Sequence, residues 1–312
     1  MIVLNQIIIM ALLITAGVIC YKCGIIGKEA TQSLSSLVLM VVNPIVILVS
    51  YQQPFEKRML KGLLWSLLLA LISTVISIVI SKVFIRKKSG RLAVERFSCI
   101  YSNCAFMGIP LVSALYGSEG VFYLTAFVTV FNLFVWTHGV FLMEEKLNKK
   151  MIIQAVKTPA VIATFLGFAL FMLKISLPDI LLKTLTYLEN LNTPLAMLAA
   201  GATIAQTNIF KALKNPRLYY ICILKLILVP AAACAVFCFL PLDDVVIGTN
   251  ILASACPAAA TGTLFAIRYK KDSLYAAELF AVTTILSIVT LPLIMNICLL
   301  YTSPSPRDPK TS

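Results

Sequence analysis

Residues 101–111 read Tyr101-Ser102-Asn103-Cys104-Ala105-Phe106-Met107-Gly108-Ile109-Pro110-Leu111, and residues 253–263 read Ala253-Ser254-Ala255-Cys256-Pro257-Ala258-Ala259-Ala260-Thr261-Gly262-Thr263. Each stretch sets Pro or Gly among small polar residues in the middle of a long apolar run. Proline removes a backbone donor and disfavours helix in the residue before it. At mid-membrane depth no water satisfies the freed groups, so a break must be buried in protein or line a cavity. A break also leaves a half-helix N-terminus, whose free N–H groups carry partial positive charge and attract anions. Asn103 stands where it would cap the second half of the first broken helix. Paired interrupted spans point to a transport site. The plainer alternative is two kinked helices packed closely at Gly108 and Gly262.

The surrounding sequence is apolar almost throughout. Hydrophobic residues make up 60% of the 312 and charged residues 12%, with mean hydropathy +0.95. Soluble domains hold ~45–50% and ~25%. This balance excludes a soluble enzyme, a nucleic-acid binder and a disordered chain, and indicates a polytopic membrane protein in the lipid bilayer. At ~20 residues per crossing, spans are expected at 2–21, 33–53, 60–82, 94–116, 121–142, 157–174, 186–205, 217–239, 244–267 and 273–300. The first lacks a basic leader and a small-residue cleavage site, so it reads as a retained helix.

The net charge of +13 comes from 26 Lys and Arg against 13 Asp and Glu. Eighteen of the basic residues lie in or beside the odd-numbered loops and five in or beside the even-numbered ones. The positive-inside rule then places the odd loops in the cytoplasm and both termini outside, in a cytoplasmic membrane. Most of the nine cysteines sit in apolar runs, as small hydrophobes. Cys20 and Cys23 form a CxxC, but a single histidine and no second pair make no zinc site. No metal or cofactor is expected.

A shift of 150 aligns Gly17 with Gly167, Pro44 with Pro194 and Lys61 with Lys211, and a shift of 153 aligns Tyr116 with Tyr269 and Phe127 with Phe280. Five spans is an odd number, so a second copy is inverted in the membrane, as in many secondary transporters. The expected fold is all-α: ten transmembrane helices in two inverted five-helix repeats, 1–150 and 151–300, with helices 4 and 9 broken and crossing. Residues 301–312, with three prolines in a polar stretch, read as an unstructured tail, native or a read-through scar.

The run Asn103 to Leu111, followed by Tyr116-Gly117, resembles the fourth helix of the auxin efflux carrier family, whose plant members carry Pro-Asn and then a Met-Gly-Ile-Pro-Leu block. Pro257, Phe265-Ala266 and Tyr269 resemble the matching ninth-helix segment, and the likeness to bacterial permeases of the malate and malonate type covers the whole membrane region. The resemblance implies a scaffold of helices 1, 2, 6 and 7 that also forms a homodimer. It implies a transport domain of the other six helices, elevator-type movement, and an organic anion such as a carboxylate as substrate. Asn103 matches the family's crossover asparagine and Pro257, followed by Ala258, the second crossover. Ser102 stands where plant carriers have proline. Asn132, four residues before Trp136, takes the place of a polar binding residue, and Thr137 replaces a tyrosine, which turns the expectation away from auxin itself.

Lys225 and Glu278 are ionisable residues within spans, where such groups are functional candidates. Lys225 is about 12 Å into helix 8 and Glu278 about 8 Å into helix 10 from the same side, at 1.5 Å per residue. They are expected to form an ion pair, or Lys225 to help hold the anion. His138 could relay a proton, though a packed histidine explains it as well. Thr283, Thr284 and Ser287 could face the crossover or bond back to their own helix. Asn43-Pro44 and Asn192-Thr193-Pro194 read as structural kinks. A sodium-coupled symporter resembling the bile-acid family is the alternative function. The sequence has no HExxH, serine-protease motif or P-loop, so neither an intramembrane enzyme nor an ATP-driven pump is expected.

Overall fold

The structure is a computed structural model that describes residues 2–86, 90–144 and 149–302, with side chains described for 4–86, 90–144 and 153–296. Helices follow in order: α1 (Ile2–Lys22), α2 (Lys28–Ser50), α3 (Lys57–Phe84), α4 (Leu92–Ile100), α5 (Cys104–Glu144), α6 (Lys149–Val156) and α7 (Pro159–Met172). Then come α8 (Asp179–Glu189), α9 (Asn192–Ala205), α10 (Ile209–Ala212), α11 (Pro216–Phe237), α12 (Asp244–Ala255), α13 (Thr261–Arg268) and α14 (Ser273–Thr302). Six of them, α1, α2, α3, α5, α11 and α14, are long and apolar enough to cross a membrane. The chain is therefore an all-helical polytopic membrane protein. Of the expected tail, Tyr301 and Thr302 continue α14, and the rest lies outside the described residues.

The long helices carry wide turns with a physical cause. Four π-helical turns occur among the described residues, and three end two residues before a proline: Val38–Val42 before Pro44, Cys104–Gly108 before Pro110, and Leu224–Leu228 before Pro230. Proline has no N–H to give the carbonyl four residues earlier. The helix answers by shifting locally to a longer, i→i+5 bond, which adds one residue to the turn. Near its middle α5 is bent at Gly117, whose φ of +60° and ψ of −152° favour glycine.

Packing is closest between α1 and α9. A Cβ on Gly201 would collide with the carbonyl oxygen of Ile14, and one on Gly17 with that of Leu198. The missing side chains thus let two backbones touch, as small residues do between membrane helices. Elsewhere the core is aromatic and aliphatic. Tyr51 packs edge-on against Phe122 at 4.9 Å and against Phe171 at 6.4 Å, joining the ends of α2 and α7 to the middle of α5. The wide turn of α2 and the start of α9 meet inside the protein, where Asn192 Nδ2 donates to Asn43 Oδ1.

Candidate functional site

The gap between α4 and α5 lies against the gap between α12 and α13. Tyr101 is extended, with φ −92° and ψ 120°, and Cys256, just ahead of Pro257, is extended as a pre-proline residue should be. The two extended pieces run antiparallel and pair at Ser102 and Ala258. The Asn103 N–H donates to the Pro257 carbonyl at 2.8 Å, and the Ala259 N–H to the Tyr101 carbonyl at 2.9 Å. Each break thus satisfies backbone groups of the other, which is what the apolar interior demands. A side chain adds a further tie: Thr283 Oγ1 accepts from the Ala258 N–H at 3.2 Å.

Lys225 reaches this junction from the wide turn of α11 and is completely buried. Its ammonium donates to Ser102 Oγ at 2.5 Å and to the Ser254 carbonyl at 3.3 Å. Ser102 Oγ itself donates to the Ser254 carbonyl at 3.2 Å. One cation therefore holds a residue from each break, with the thiols of Cys99, Cys104 and Cys256 around it. The expected pair with Glu278 is not formed. Glu278 is only partly buried, and the charges near it are Arg91, Asp272 and Lys211.

Beside the junction is a cavity of about 90 Å³, lined by Ser102, Asn103, Thr261 and Thr263, with Thr31 and Lys28 on the α2 side. A single water needs roughly 10–15 Å³ by this measure, so the space suits a small molecule. Asn103 Nδ2, Thr261 Oγ1 and Thr263 Oγ1 are buried there without hydrogen-bond partners within the protein. Asn103 does occupy the N-cap position, but its side chain makes no cap bond. Its carbonyl accepts the first intrahelical bond, from the Met107 N–H at 3.0 Å. The amide is left to line the cavity.

Of the other expected residues, Ser102, Pro257 and Ala258 lie together at the crossing with Asn103 and Lys225. Asn132 lines an adjoining cavity of about 80 Å³ with Trp136 and Phe265, and Ala105 and Thr261 border both spaces. Asn132 Nδ2 donates to the Val128 carbonyl at 2.8 Å. His138 Nδ1 lies 2.9 Å from the Tyr101 hydroxyl, which also donates to the Phe134 carbonyl, so the histidine packs against the crossing. Ser287 Oγ bonds back to its own helix, donating to the Thr284 carbonyl, whereas Thr284 Oγ1 is buried without a hydrogen-bond partner within the protein.

Two charged clusters stand out that the sequence reading did not single out. At one, Arg217 Nε and Nη2 donate to Glu95 at 2.9 and 2.6 Å, and the Tyr275 hydroxyl donates to the same carboxylate at 3.1 Å. At the other, Arg58 Nη1 lies 2.9 Å from both Glu119 and Asp243, and the Tyr123 hydroxyl donates to Glu119 at 3.0 Å. Asn250 Nδ2 donates to Ser66 Oγ at 2.8 Å, just as Lys225 donates to Ser102. Glu95 inside an apolar span was the signal that could have exposed the first cluster.

Residues 2–295 match the family described as membrane transport protein. The chain belongs to that family, the auxin efflux carriers and their relatives. It is 23% identical over 288 residues to an "uncharacterized transporter" of Methanothermobacter thermautotrophicus, covering 90% of this chain and 93% of the relative. It is also 25% identical over 220 residues to the "uncharacterized transporter YfdV" of Escherichia coli K12, covering 67% of this chain and 69% of the relative. The family membership is that of a membrane transporter, and the paired breaks of this member lie where the most specific of its family-like residues stand.

Proposed function

We propose that this family member is a secondary carrier that moves a small organic anion, a carboxylate, across the cytoplasmic membrane. The observation that carries the reading is the cavity at the paired breaks. Three buried polar groups without partners surround it, and the N-terminal turn of α13 opens onto it, where the positive end of the helix dipole favours an anion. Lys28 adds a positive charge at its edge. In this reading Asn103, Ser102, Pro257, Ala258 and Asn132 form or border the site, and Lys225 holds it together from behind.

Ten crossings follow if α5 is counted as two spans meeting at Gly117, α4 joins the first of these, and α12 joins α13. The reciprocal backbone bonds of the two breaks, Asn103 to Pro257 and Ala259 to Tyr101, support two inverted repeats with Ser102 and Ala258 as counterparts. Movement is then of the elevator type, the unit with the crossing sliding against a scaffold built on the α1–α9 contact, which also carries a homodimer. Both termini lie outside, by the distribution of Lys and Arg.

The test is flux into proteoliposomes with a panel of mono- and dicarboxylates and indole acetate, comparing wild type with Asn103→Ala. Uptake or counterflow of a carboxylate that falls at least about tenfold in the variant, the effect of losing a hydrogen bond to a charged group, supports the site. Unchanged flux in the variant moves the site elsewhere. No flux of any anion by folded protein overturns the organic-anion reading.

A further inference from the structure

Lys225 is a buried cation with no carboxylate among its described contacts. Its ammonium is held by a hydroxyl from one break and a carbonyl from the other, Ser102 Oγ at 2.5 Å and Ser254 O at 3.3 Å. These are the ligands a small monovalent cation would take. Ser254 lies in the last turn of α12, where carbonyls without intrahelical partners give the helix a partial negative end. Ser102 follows directly on the end of α4, which has the same polarity. Two helix C-termini thus converge on a buried spot that calls for positive charge.

Elsewhere in the bundle the Asn250 amide donates to Ser66 Oγ at 2.8 Å, a contact between α12 and α3 made with neutral groups alone. At the crossing the Ser254 carbonyl accepts both from Lys225 and from Ser102, and a charge is held there. Lys225 also lines neither of the two cavities described above, so it acts on the anion site only through Ser102.

We propose that the Lys225 ammonium is a tethered cation that occupies a monovalent-cation site at the crossing, so that transport needs no free sodium or potassium. The side chain is a positioning residue: it pins Ser102 to Ser254 and keeps the two breaks in register. Removing it while leaving its space empty converts the crossing into a site for a free cation. The inference uses the carrier reading for its flux assay, and a binding assay tests it separately.

The experiment compares wild type, Lys225→Ala, which vacates the space, and Lys225→Met, which fills it without charge. Carboxylate counterflow is measured in choline, sodium and methylammonium buffers, with size-exclusion profiles verifying the fold. Wild-type flux should be the same in all three. Lys225→Ala should lose on the order of tenfold or more in choline, the scale of a lost charge-assisted hydrogen bond, and regain most of it in sodium or methylammonium. Lys225→Met should lose as much and regain nothing. Wild-type dependence on sodium, full Lys225→Ala flux in choline, or no rescue of that folded variant by either cation would each overturn the proposal.

Thermal unfolding in detergent gives the reading that does not need flux. Sodium or methylammonium should raise the Tm of Lys225→Ala and leave wild type and Lys225→Met unmoved, because a ligand stabilises only a state that binds it. That result with no flux by any protein would overturn the carboxylate reading and keep the cation site. Equal cation effects on all three proteins would overturn the cation site. Should Lys225→Ala fail to fold in choline, its recovery in sodium or methylammonium supports the site, and failure in every buffer, where Lys225→Met folds, overturns it.

Discussion

The side-chain amide of Asn192 donates to the amide oxygen of Asn43 across 2.5 Å, in a part of the protein where both residues are buried. Asn43 stands just before Pro44, at the end of the wide turn of α2, and Asn192 is the first residue of α9, with Pro194 in the same turn. The bond therefore locks the wide turn of one helix to the start of the other. Asn43→Ala strands the Asn192 donor, and a buried polar group left alone costs about 1–3 kcal/mol. Asn43→Ala with Asn192→Ala should cost less than the sum of the single changes, since the pair is then removed whole. Denaturant unfolding in micelles measures the cycle, and strictly additive losses would show that the amides do not act on each other.

Glu95 is 3% exposed and takes three hydrogen bonds, two from Arg217 and one from Tyr275. Glu95→Gln leaves the guanidinium without its counter-charge at a site where burial magnifies the loss. The expected cost is about 3 kcal/mol, against about 1 kcal/mol for Tyr275→Phe. Thermal unfolding of the two variants side by side checks the order. A Tyr275→Phe loss equal to that of Glu95→Gln would mean that the carboxylate's charge contributes little.

Gly201 faces the backbone of α1 without an intervening atom. Gly201→Ala forces α1 and α9 apart, because the clash is with a main-chain carbonyl that cannot turn away. Overpacking of this kind costs about 1–3 kcal/mol. The expected result is a lower Tm, with the loss relieved by no second substitution at a flexible side chain. An unchanged Tm would mean that the helices separate freely at this point.

Lys28 stands at the edge of the cavity and is exposed. Its charge acts on the arriving anion more than on the bound one, as a charge at the rim does. Lys28→Gln should raise the apparent KM severalfold while leaving the maximal rate nearly unchanged, and the difference should shrink as salt is added. Flux against substrate concentration at two ionic strengths decides it. A fall in maximal rate alone would place Lys28 in the moving step.

The breaks were legible because proline and glycine act locally: Pro257 at one crossing, Gly108 and Pro110 at the other. Depth was legible too, since a rise of 1.5 Å per residue puts Lys225 far from either end of its span. Its partner was not. Lys225 sits in the wide turn that Pro230 imposes, and the added residue turns its side chain away from the direction an ideal helix would give. The side chain meets Ser102 and Ser254 instead of Glu278. Asn103 shows a similar limit, for the sequence marks a capping residue and cannot tell whether its side chain turns to the helix end or to the cavity. Arg58, Glu119 and Asp243 lie at three separated points of the chain, and only the packing of α3, α5 and α12 brings them together.

The paired breaks also constrain how the protein is made. The Asn103 N–H and the Tyr101 carbonyl find their partners on Pro257 and Ala259, which leave the ribosome long after residues 101 and 103 have been made. Until then both groups are polar and bare, and a lipid interior does not accept them. The fourth segment must wait in a watery or interfacial place, or beside a helper protein, while more than a hundred further residues are synthesised. A chain that stops short of Pro257 is therefore recognisable to the cell as unfinished, however well its earlier helices have inserted. The site comes into being only when the later break closes the earlier one.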